Sequence, residues 1–63
     1  MKPFKDKSTA IKQAYSRSKG YGNHGEPIFV VYESGYYYVC TDDDIDTFFN
    51  GIQDKDIVYC TDD

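Results

Sequence analysis

Asp42, Asp43, Asp44 and Asp46 place four carboxylates within five residues, a density that could hold calcium or magnesium. A calcium loop of the EF-hand type needs a glycine at its sixth position and a glutamate at its twelfth. No frame starting in this cluster meets both requirements. Consecutive residues also point in different directions at a helix start, so they rarely converge on one ion. Thr41 followed by three aspartates is instead what a helix N-terminus accepts, with a hydroxyl cap and negative charge against the dipole. No metal site is expected.

Other reactive types fare no better. His24 is the single histidine and stands in a glycine-rich loop. A general base there would need a nucleophile and an orienting partner. Cys40 and Cys60 fall in strand-like sequence, where buried thiols serve as packing residues. Nothing around them resembles a Cys-His catalytic signature, and with His24 they leave a structural zinc one ligand short. Gly20, Gly22 and Gly25 match the spacing of the dinucleotide fingerprint, but that motif follows a strand and opens a helix, the reverse of the order here. No catalytic residue, cofactor site or metal ligand is assigned, and the chain is expected to be non-enzymatic.

The tyrosines are the stronger signal. Seven Tyr and four Phe make the chain 17% aromatic. Tyrosine combines apolar area with a polar tip and few torsions to freeze, which suits recognition surfaces. Tyr32, Tyr36 and Tyr38 resemble a platform on which nucleic-acid bases stack, but such a platform needs a basic surround. Glu33 and the aspartates flank this one.

Those residues must be positioned by few elements, because 63 residues make one domain with a thin stability margin. Residues 1–63 are read as a single domain, with residues 1–7 flexible. A helix runs from a cap at Ser8 or Thr9 to about Lys19, with Ala10, Ile11, Ala14 and Tyr15 on its apolar stripe. Residues 20–27 form a loop. Ile28–Tyr32 and Tyr36–Cys40 are strands joined by Glu33-Ser34-Gly35, with Gly35 as the left-handed residue of a three-residue loop. That length would set Tyr32 opposite Tyr36, Val30 opposite Tyr38 and Ile28 opposite Cys40. Phe29, Val31, Tyr37 and Val39 would share the other side. Thr41 caps a second helix with Ile45, Phe48, Phe49 and Ile52 inward, ending near Asn50-Gly51. Asp54 to Asp56 turns the chain into a closing strand, Ile57–Cys60.

The expected fold is therefore α+β, in the order α-β-β-α-β, with a three-stranded antiparallel sheet and both helices on one face. A six-residue echo, Tyr38–Asp43 against Val58–Asp63, is read as two strand ends running into polar caps.

Charge is divided along the chain. Lys2, Lys5, Lys7, Lys12, Arg17 and Lys19 against Asp6 give residues 1–20 a balance of +5, and residues 21–63 carry −9, for a net −4. Such a molecule can steer a charged partner. The N-terminus lacks a signal peptide's apolar stretch, and two cysteines suit a reducing compartment, so a cytoplasmic location is expected. A Cys40–Cys60 bridge stays open should their strands be neighbours.

The reading that follows is a small acidic protein-interaction module. Its size and charge fit a phage or mobile-element protein that binds and inhibits a host protein. Partner contact is assigned to Tyr32, Tyr36, Tyr38, Asp42, Asp43, Asp44 and Asp46, on an apolar sheet face that a homodimer could also bury. Two alternatives stand beside it. One is nucleic-acid binding through the basic N-terminal segment and exposed tyrosines. The other is DNA mimicry by Asp42, Asp43, Asp44, Asp46, Asp54, Asp56, Asp62 and Asp63.

Overall fold

The computed structural model describes residues 2–20, 25–49 and 56–61. His24, Asn50, Gly51, Ile52, Asp54, Asp62 and Asp63 lie outside them. Six elements follow in order: β1 (Pro3–Phe4), α1 (Lys7–Ser18), β2 (Phe29–Glu33), β3 (Tyr36–Cys40), α2 (Asp42–Phe48) and β4 (Ile57–Cys60). The fold is α+β with two helices and an antiparallel sheet. However, the sheet has four strands, ordered β1-β3-β2-β4, and the element order is β-α-β-β-α-β. The additional strand lies in the segment expected to be flexible, where Pro3 pairs with Tyr38 and Phe4 with Tyr37. Two residues carry no periodicity to betray a strand. Proline is tolerated there because β1 is an edge, where its missing N–H costs no ladder bond.

Both helices begin on side-chain caps. At α1 the cap is Asp6 rather than Ser8 or Thr9, and its carboxylate accepts from the Thr9 hydroxyl and backbone N–H, both at 2.9 Å. Those bonds, the hydroxyl's first, and the charge of Lys12 hold the Asp6 carboxyl below its ordinary value. Thr41 caps α2 as expected and closes a capping box with Asp44.

The hairpin register differs from expectation by one residue. Glu33 faces Tyr36, Tyr32 faces Tyr37, Val31 faces Tyr38, Val30 faces Val39 and Phe29 faces Cys40. The loop is therefore Ser34-Gly35 alone. Both residues are left-handed, with φ of 52° and 87°, as a two-residue turn matching the strands' twist requires. Serine resists that conformation, which is why the three-residue loop looked better from sequence. Ser34→Asn, which makes the preferred Asn-Gly pair, is expected to raise the unfolding free energy by about 0.5 kcal/mol. Ser34→Val should lower it by about 1 kcal/mol or more, both read from urea unfolding.

A slip of one residue exchanges the faces of the sheet. Val30, Tyr32, Tyr37 and Val39 share the face on which α1 packs, where Ala10, Ala14, Ile28, Val30 and Val39 form the buried core. Phe4, Ile11, Tyr37, Val58 and Tyr59 pack around that core. An irregularity in β4 opposite Val30 and Val31 leaves Val58 without a register partner, so Val58 and Tyr59 both turn toward the core. Phe29, Val31, Tyr36, Tyr38 and Cys40 share the opposite face. There the Phe49 ring, at the C-terminal end of α2, lies 5.3 Å from Tyr38. The helices thus take one face each instead of sharing one. The physical reason is the sheet's two apolar sides, each of which needs cover. Val31 and Cys40 are fully buried, so the second side is not an open apolar face.

Helix packing also departs from the apolar stripes. Tyr15 is 54% exposed and Phe48 63%, although both were expected inward. Ala10 and Ala14 are at 0% and carry the contact, because small side chains let α1 approach the sheet closely.

Phe29 pairs with Cys40 on one side and Cys60 on the other. The two cysteines are thus separated by a whole strand, about 10 Å at the usual spacing, which is too far for a disulfide. Both thiols are free. The repeated Cys-Thr pairs end β3 and β4 at the same end of the sheet. Thr41 caps a helix there, while the Thr61 hydroxyl accepts from the Ile28 N–H at 2.9 Å.

Candidate functional site: an acidic, aromatic face

The charge division of the chain becomes a division across the sheet. Helix α1 carries Lys7, Lys12 and Arg17 on one side, while α2 opens with Asp42, Asp43 and Asp44 on the other.

Within the acidic side, the aspartates divide by role. The Asp44 carboxylate accepts from the Thr41 N–H at 3.2 Å, and the Thr41 hydroxyl accepts from the Asp44 N–H at 3.2 Å. Asp44 is thereby committed to the cap. Asp42, Asp43 and Asp46 are exposed. Asp42 and Asp43, with Glu26 and Pro27, line a shallow cavity of about 220 Å³. Among the described residues, no three acidic, histidine or cysteine groups are placed to hold a metal ion.

The three expected contact tyrosines do not form one platform. Tyr32 is on the α1 side, with its ring 4.9 Å from Tyr37. Tyr36 and Tyr38 are on the α2 side, and Tyr38 is half-buried beneath Phe49. Tyr36 remains 38% exposed at the end of the hairpin.

Phe48 is the residue that sequence reading missed. Its spacing from Ile45 predicts a core position, yet it is the most exposed large apolar side chain among the described residues. A signal was present. Adjacent phenylalanines on a helix are 100° apart, so a narrow contact cannot bury both. Phe49 takes the sheet and Phe48 faces water.

Cys40 has the opposite character. Burial pushes its thiol up from 9.0 to about 11, the charge of Asp44 adds to the effect and that of Arg17 opposes it. At neutral pH it is a protonated packing residue and no nucleophile.

No protein-family model matches the chain, and no match emerges among curated proteins or solved structures. Among the described residues, no helix is long and apolar enough to cross a membrane.

Proposed function

We propose that this protein is a non-enzymatic interaction module that binds a basic protein partner through its α2 face. Phe48 and Tyr36 act as the apolar anchors, and Asp42, Asp43 and Asp46 set orientation and association rate. Inhibition of a host protein is one form this binding could take. A single observation carries the reading: Phe48, 63% exposed, stands on a short helix whose other exposed residues include three aspartates. Water-facing phenylalanine gains nothing for the monomer, whereas an aromatic ring amid like charges suits a cationic, partly apolar surface. DNA mimicry is less well supported, since Asp44 is used by the cap.

The test is affinity capture on the immobilised protein with paired variants. Phe48→Ser with Tyr36→Ser should weaken the captured partner's binding by about 30-fold or more, as loss of an interface anchor does. Neutralising Asp42, Asp43 and Asp46 to asparagine should chiefly slow association and flatten its salt dependence. Equal capture by the Phe48 and Tyr36 variants would remove the basis for this reading.

A second reading has its own observation. Tyr15 is 54% exposed on the basic helix, with the Lys19 ammonium 4.9 Å from its ring centre. Aromatic surface within positive charge is what single-stranded nucleic acid needs, and the sheet tyrosines lacked that surround. Labelled single-stranded DNA offered to the same immobilised protein separates the two readings. Steeply salt-dependent binding that survives the Phe48 change would favour the second.

A further inference from the structure

Two cations line one cleft, and no carboxylate is among the described residues that line it with them. Lys2 and Arg17 line a half-open cavity of about 230 Å³ with Gln13, Phe4 and Val39. Gln13 and Arg17 lie one turn apart along a single edge of α1. Strand β1 builds the facing wall: pairing of Pro3 with Tyr38 and of Phe4 with Tyr37 carries Lys2 alongside the last residues of β3. Its ammonium is 5.7 Å from the Phe4 ring centre. Among the described residues neither cation forms an ion pair with a carboxylate.

The chemistry of the lining defines what fits. Lysine offers three N–H donors, arginine five in a planar fork, and the glutamine amide two more. The polar side of the cleft is therefore almost purely donating and carries two positive charges. An isolated carboxylate would satisfy the arginine fork and leave the lysine unmatched. A phosphate monoester has close to two negative charges and three acceptor oxygens, and it matches both. Phe4 and Val39 supply an apolar floor for the organic part.

We propose that the cleft between β1 and α1 binds a small phosphate monoester. Its phosphoryl group sits between Lys2 and Arg17 with the Gln13 amide, and its carbon skeleton rests on Phe4 and Val39. This site is on the opposite side of the sheet from α2 and does not depend on the function proposed above.

The experiment titrates the intact protein at low ionic strength with phenyl phosphate and benzoate, following backbone amide shifts of Gln13 and Val39 by NMR. Phenyl phosphate should saturate one site, and benzoate should bind about tenfold more weakly or worse. Arg17→Gln and, separately, Lys2→Gln should each weaken phenyl phosphate by about tenfold. Lys12→Gln removes the same charge elsewhere on α1 and should change affinity by less than about twofold. Lys2 precedes every element, so its variant reports on binding even if Arg17→Gln perturbs the helix. A 5′-phosphorylated dinucleotide should compete, and its unphosphorylated counterpart should not. The proposal is overturned if binding does not saturate, if benzoate matches phenyl phosphate, or if Lys12→Gln is as damaging as Arg17→Gln. Equal competition by the unphosphorylated dinucleotide would also overturn it, in favour of a nucleic-acid backbone contact.

Discussion

Val30→Ala is expected to lower the unfolding free energy by about 2 kcal/mol or more, measured by urea unfolding. Val30 is fully buried on β2, an inner strand, with Val39 beside it on β3 and Tyr59 on β4. The core places it with Ala10 and Ala14 of α1. Alanine would leave a void that neither neighbour can fill. The backbones of both flanking strands are fixed by their ladders, and the facing helix residues are already minimal in size. In a domain this small, such a loss is a large part of the whole margin. Tyr32→Ala, two residues along the same face but 43% exposed, should cost under about 1 kcal/mol. Equal losses at the two positions would mean that the core is not where Val30 lies.

The second large effect depends on pH. Cys40 has its thiol raised from 9.0 to about 11, chiefly by burial. Below about pH 9 the thiol is protonated in both folded and unfolded chains, so its contribution to stability is complete. Between about pH 9 and 11 the unfolded chain releases this proton while the folded one holds it. Stability must therefore fall with rising pH across that window and level off above it. The loss is on the order of 2 kcal/mol. Cys40→Ala removes the titrating group, so its stability should decline less over the same range, and the difference between the two proteins isolates this one thiol. Parallel curves for the two proteins would show that the folded structure does not hold Cys40 protonated. Alkylation near pH 8 gives a second check: Cys40 should stay unmodified until the chain unfolds.

The same observations bear on what the molecule is for. The α1 helix carrying lysine and arginine and the α2 helix carrying aspartate and Phe48 take opposite faces of the sheet. The phosphate-sized cleft and the acidic aromatic face are accordingly separable by mutation. Phe48→Ser should leave phenyl phosphate binding intact, and Arg17→Gln should leave capture through α2 intact.

Local sequence determined what depends on near neighbours. Thr41 and its aspartates marked the start of α2, the density of β-branched and aromatic residues marked β2 and β3, and Ile57–Cys60 marked β4. Caps and strand propensity act over three or four residues, so a single sequence contains them. The absent disulfide, the place of β1, the register and the use of each sheet face were decided only in three dimensions. Ser34-Gly35 and Glu33-Ser34-Gly35 differ by about 1 kcal/mol of local backbone preference. Burying Val30 and Val39 together beneath two alanines outweighs that difference, and because side chains alternate along a strand it also sends Tyr32 to the α1 side.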